Sequence, residues 1–221
     1  MTFSKVRTAA GALLGAAALG AAALLTAGVP AGAAATDAHP AFVQARGEAL
    51  PPIGWVQFCR DYGAECLADA AGPAPARLDE RSWRDLVRVN AAVNAAVEPV
   101  TDQEHWGAPE RWDLPLDGRG DCEDYALEKR RRLVALGWSR GSLLVTVVRD
   151  KKGDGHAVLT ARTDRGDLVL DNQAPRVLPW NETGYRFVKR QTPSNPNAWE
   201  SLGEAVGELL VAERPRTTAS R

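Results

Sequence analysis

Apolar and polar positions divide the chain into three regimes. Ala9 to Ala27 is an uncharged apolar run preceded by Lys5 and Arg7. From Asp79 to about Glu98, Trp83, Leu86, Val87, Asn90, Val93 and Val97 recur at helical spacing, with Asp79 as cap and Pro99 as stop. A second helix is predicted from Cys122 to Leu136. It has Asp121 at the N-cap, Asp124 three residues on and Gly137 as C-cap. Past Gly137 the pattern becomes extended. Ser142 to Arg149, His156 to Arg162 and Asp167 to Asn172 read as strands, separated by the turns Gly153-Asp154-Gly155 and Thr163-Asp164-Arg165-Gly166. Tyr185 to Gln191 alternates Tyr185, Phe187 and Lys189 against Arg186, Val188 and Arg190, as a half-buried strand does. Helices first and strands afterwards define an α+β class, with N-terminal helices packed on an antiparallel sheet.

The connecting segments carry less pattern. Asp37 to Pro52 reads as an extended arm, Ala70 to Ala76 as a linker, and Thr101 to Gly120 as irregular chain broken by glycines and prolines. Core packing is the default for Trp106 and Trp112 in that stretch, and lining a substrate groove is the alternative.

The positive start, the apolar run and Val29-Pro30-Ala31-Gly32-Ala33-Ala34-Ala35 predict a secretory signal peptide over residues 1–35, cleaved near Ala33 or Ala35. A membrane anchor is the alternative, disfavoured because an Ala- and Gly-rich run partitions weakly into lipid. The expected mature chain is one domain over residues 36–211 with a disordered tail at 212–221. It is periplasmic or secreted and does not span the membrane after cleavage. Composition fits this reading. The 221 residues are 45% apolar, enough for a core, and 27 Lys plus Arg oppose 28 Asp plus Glu. Loss of Lys5 and Arg7 takes the net charge from -1 to -3, so no basic field exists to hold a nucleic acid.

Export gives the three cysteines meaning. Cys59 and Cys66, seven apart, could close a short disulfide loop, which leaves Cys122; the alternative is three buried small hydrophobes. Cys122 opens a predicted helix, where the dipole and first-turn N–H groups favour an anion, and the thiolate is the reactive form of cysteine. A nucleophile needs a base. His156, at a strand start after a glycine turn, is the leading candidate and His105 the next. A hairpin centred between Thr163 and Asp164 would set Asp171 directly opposite His156, within reach of the imidazole. Cys122, His156 and Asp171 are therefore the candidate catalytic residues. Structural roles for the histidine and the carboxylate are the competing reading.

Asp113-Leu114-Pro115, Asp121-Cys122-Glu123-Asp124-Tyr125, Gly153-Asp154-Gly155-His156-Ala157-Val158-Leu159 and Leu170-Asp171-Asn172-Gln173 together resemble the bacterial transglutaminase-like cysteine peptidases, LapG type. The resemblance covers roughly Pro51 to Leu202. It implies a transglutaminase-like fold within the papain-like group and a Cys122, His156, Asp171 triad. It further implies Ca2+ bound through Asp121 and Glu123, a large surface adhesin as protein substrate, and a membrane cyclic-di-GMP receptor as regulatory partner. Carboxylates flanking a thiol oppose its ionisation, and a bound cation would offset them. Asp117 is a weaker third ligand candidate, and plain helix capping is the alternative for Asp121 and Glu123.

The expected activity is endopeptidase, with part of the oxyanion held by the Cys122 backbone N–H. The alternatives are transglutaminase or amidase transfer from the same thioester, and a non-catalytic protein-binding module. Lys129-Arg130-Arg131-Arg132 reads as a solvated helix face, with docking to an acidic protein as the alternative.

Overall fold

The computed structural model describes residues 41–69 and 72–203. The expected signal peptide and C-terminal tail lie outside the described residues. Among the described residues nine strands and four α-helices follow in chain order: β1 (Gly47–Ala49), α1 (Ile53–Asp61), α2 (Glu80–Ala96), β2 (Glu98–Pro99), α3 (Asp102–Trp106), β3 (Arg119–Gly120), α4 (Cys122–Ala135), β4 (Leu143–Arg149), β5 (Gly155–Thr163), β6 (Gly166–Leu170), β7 (Leu178–Pro179), β8 (Arg186–Gln191) and β9 (Trp199–Ser201). Seven strands form one antiparallel sheet in the order β1-β9-β8-β4-β5-β6-β7, and β2 pairs with β3 in parallel. Helices and antiparallel sheet make the chain α+β, as the pattern predicts.

α2 begins as expected. Asp79 Oδ1 accepts from Ser82 N at 2.9 Å, and Ser82 Oγ accepts from Asp79 N at 2.8 Å, closing a capping box. Its buried stripe is Leu86, Val89, Asn90 and Val93, whereas Trp83 and Val87, expected inside, are exposed. α4 also starts and stops where expected. Gly137 takes φ +95°, which ends the helix without the strain a side chain would bring.

The core lies on both sides of the sheet. On one face, Leu86, Val93 and Leu133 of α2 and α4 pack on Leu143, Leu159 and Leu170, and Trp55 and Phe58 of α1 pack with Trp112, Val145, Val147 and Trp199; the other face carries a third cluster. That cluster joins Val43, Val148, Val158, Val169 and Phe187. Trp112 is thus a core residue, and Trp106 stays 41% exposed.

Several expectations are corrected. The arm at 37–52 contains β1, which pairs with β9 at the sheet edge. Its continuation is helical, because Pro52 has the fixed φ that suits a helix entry even with no side-chain cap. The irregular 101–120 stretch contains α3, announced by Thr101 and Glu104 as a capping box. Strict alternation fails in β8: pairing with β4 shifts between Val147 and Val148, and Phe187 and Val188 are both buried. The basic run is not a solvated face either. Lys129 and Arg130 are each 1% exposed, and Arg131 and Arg132 both clasp Glu128. Arg130 donates to the carbonyls of Glu65 and Leu143, which replace its hydration. Cys59 and Cys66 are joined as a disulfide, and Cys122 is the cysteine outside it.

Candidate active site

Cys122 is the first residue of α4 and is 3% exposed. α4 packs on β5, and the Cys122 Sγ accepts a hydrogen bond from Ala157 N at 3.3 Å while its thiol faces Glu123 Oε2 at 3.3 Å. Ala157 follows His156 on β5, so the thiol is anchored to the strand that carries the imidazole. Burial first, then the charges of Glu123 and Asp121, push the Cys122 thiol well above its ordinary range.

His156 Nε2 lies 2.9 Å from Asp171 Oδ1. The pair forms by a different register from the one expected. Thr163 pairs with Gly166 and Leu159 with Leu170, which centres the hairpin one residue later. Asp171 therefore falls opposite Val158 and reaches His156 on the diagonal, two residues away on the same side of β5. The error of an even number of positions preserved the face, and so preserved the contact.

Asp171 is held from several elements. Its Oδ1 also accepts from Gln173 N at 2.9 Å, and its Oδ2 accepts from Tyr185 Oη at 2.6 Å. Its backbone N–H donates to Asn90 Oδ1 at 3.1 Å, and its carbonyl accepts from Asn94 Nδ2 at 2.8 Å. Burial pushes the Asp171 carboxyl up, but the His156 bond and charge and the Tyr185 and Gln173 donors outweigh it, leaving it below its ordinary value. Asn90 is fully buried on α2. An Asn among apolar positions at helical spacing was the available signal.

A second group lies beside Cys122. β2 and β3 run parallel, and each leads directly into a helix, so α3 and α4 start side by side. Asp102 at the start of α3 thereby meets Asp121 and Glu123 of α4, with carboxylate oxygens within 4.8 Å of one another. All three are buried, and Asp121 Oδ1 and Glu123 Oε1 have no hydrogen-bond partner. Burial raises Asp102 to about 6; burial and Asp102 raise Asp121 to about 7; burial and Asp121 push Glu123 well up. Clustered, orphaned carboxylate oxygens fit a hard divalent cation, and the all-oxygen donor set fits Ca2+ better than zinc. Asp102 was not foreseen, although its place one residue after a capping Thr marked a helix start. Asp117 lies apart, bonded to His105 Nε2 at 2.8 Å. His105, the second base candidate, is committed to that bond and stacks on Trp106. Asp124 is used locally, accepting from Asp113 N at 2.8 Å and Asp121 N at 3.4 Å.

A buried thiol at a helix start, a strand imidazole and a carboxylate on that imidazole are the group types of a thiol hydrolase on an α+β fold. Residues 45–206 match the model of the bacterial transglutaminase-like cysteine proteinases, BTLCP, and the chain belongs to that family. Among solved structures it is similar to Legionella pneumophila LapG in three forms. The EGTA-treated form is 29% identical over 48% of this chain and 61% of that one, with a TM-score of 0.43. A further LapG structure is 28% identical over 52% and 65%, with a TM-score of 0.44. The calcium-bound form is 24% identical over 60% and 75%, with a TM-score of 0.48. The chain thus spans less than two thirds of the length of the first two. No curated protein matches the chain. Among the described residues no helix is long and apolar enough to cross a membrane.

Proposed function

We propose that the chain is an exported cysteine endopeptidase in which Cys122 is the nucleophile, His156 the general base and Asp171 the group that orients the imidazole. The observation that carries this reading is the 2.9 Å contact of His156 with Asp171, formed on the strand that also hydrogen-bonds the Cys122 thiol, which is outside the disulfide. With Nε2–H donating to Asp171, the lone pair of His156 is on Nδ1, the nitrogen that takes the thiol proton. The thiolate attacks a peptide carbonyl, the oxyanion is received in part by the Cys122 backbone N–H at the start of α4, and the imidazolium returns its proton to the leaving amine. Water, deprotonated by His156, then resolves the acyl-enzyme.

Asp102, Asp121 and Glu123 would hold Ca2+. The cation, when bound, neutralises the carboxylates beside the thiol and fixes the two helix starts. The protein substrate class follows from family membership. The resemblance supports a large surface adhesin as that substrate and a membrane cyclic-di-GMP receptor as regulatory partner. The test is product mass on a peptide library with and without a primary amine. Hydrolysed termini in both samples support a peptidase, and amine-capped termini alone would make it an acyl transferase.

A further inference from the structure

Tyr185 has no part in the chemistry above, yet it touches the His156 and Asp171 pair twice. Its hydroxyl donates to Asp171 Oδ2 at 2.6 Å, the oxygen that His156 does not use. Its ring meets the His156 ring edge-on, with centroids 5.8 Å apart and planes at 82°. The residue stands just ahead of β8, after Gly184 at φ +72°. Its backbone N–H is pinned to Thr183 Oγ1 at 3.1 Å, while Thr183 Oγ1 itself donates to the Trp180 carbonyl at 2.8 Å. Tyr185 and Asp171 both line a cavity of about 190 Å³, together with Asp150, Lys151, Gln173 and Thr183.

A carboxylate that orients an imidazole must keep one oxygen in line with Nε2–H. Held only by the imidazole and one backbone N–H, it could turn about its Cβ–Cγ bond. A donor on its second oxygen removes that freedom. Resting on the peptidase reading, we infer that Tyr185 is a positioning residue that locks the Asp171 carboxylate and thereby the orientation of His156. The phenol stays protonated in this role, because burial and the adjoining carboxylate hold it above its ordinary value.

Tyr185→Phe removes one oxygen and keeps the ring, so the fold and the edge-on contact with His156 persist. In peptide cleavage kcat should fall about tenfold, the scale of one hydrogen bond to a charged group, with KM within about twofold. A second readout needs no substrate. In Cys122→Ala protein the His156 Nε2–H gives a downfield proton resonance, and adding Tyr185→Phe should move it further downfield, because Asp171 loses a competing donor. An unchanged kcat, or a fall in kcat with an unmoved resonance, overturns the inference. Absence of cleavage by the unmodified protein would instead strike the peptidase reading, and the resonance would still decide whether Tyr185 acts through Asp171.

Discussion

His156 and Asp171 meet on the diagonal of the β5–β6 hairpin, Nε2 to Oδ1 at 2.9 Å, at the point where β6 has ended and the chain is held by side chains of α2. The contact fixes which imidazole nitrogen carries the proton. Asp171→Asn keeps the shape but offers an amide that can turn its NH2 to the imidazole and favour the wrong tautomer. Turnover should fall by about 10³-fold or more with little change in KM, read from initial rates of peptide cleavage.

Asn90 places a polar group in the middle of the α2 core stripe, and its two ends serve the Asp171 loop. Oδ1 accepts from Asp171 N at 3.1 Å, and Nδ2 donates to the Ala174 and Pro175 carbonyls at 3.3 and 3.4 Å. Asn90→Leu leaves those buried groups unpaired and should cost about 1–3 kcal/mol in denaturant unfolding. Activity should fall as well, while a Trp83→Ala change on the exposed face of the same helix leaves both nearly unaltered.

The acidic cluster makes stability depend on pH in a direction opposite to that of ordinary carboxylates. Asp102, at about 6, and Asp121, at about 7, bind protons in the folded chain at pH values where the unfolded chain has released them. Their contribution is full below the ordinary carboxylate range and is lost as pH rises through those folded values. In chelator, the melting temperature should therefore decline between pH 5 and 8. Ca2+ at 100 times its dissociation constant should restore about 5–10 °C at pH 8 and much less at pH 5, read by calorimetry. Glu123→Gln with Asp102→Asn should remove the calcium effect; an effect that survives both changes places the cation elsewhere.

Cys59 and Cys66 close a short loop at the end of α1, next to the packed Trp55 and Phe58. Its loop-closure entropy corresponds to about 2–3 kcal/mol. Reduction should lower the melting temperature by several degrees. Iodoacetamide should modify one cysteine in the unreduced, unfolded chain and three after reduction, counted by intact mass.

Much of this site was legible because its signals are local. Asp121 before Cys122, Gly137 at the helix end and the glycine turns around β5 each constrain the backbone within a few residues. The hairpin register was legible in parity but not in position, since a turn of Thr163 to Gly166 can be centred in more than one way. Tertiary contacts hid the rest. Nothing local announces that Lys129 and Arg130 turn inward, that a parallel β2–β3 pair carries Asp102 to Asp121, or that Asn90 and Tyr185 converge on Asp171 from elements far apart in sequence.

In the proposed mechanism Cys122, activated by His156, cuts peptide bonds. The most direct measurement compares the unmodified protein with Cys122→Ala on a peptide library in the presence of Ca2+, counting new termini by mass spectrometry. Abundant cleavage is expected from the unmodified protein and none from Cys122→Ala, with both proteins melting at similar temperatures. Cleavage that persists in Cys122→Ala, or is missing from the folded, calcium-loaded protein, would contradict it.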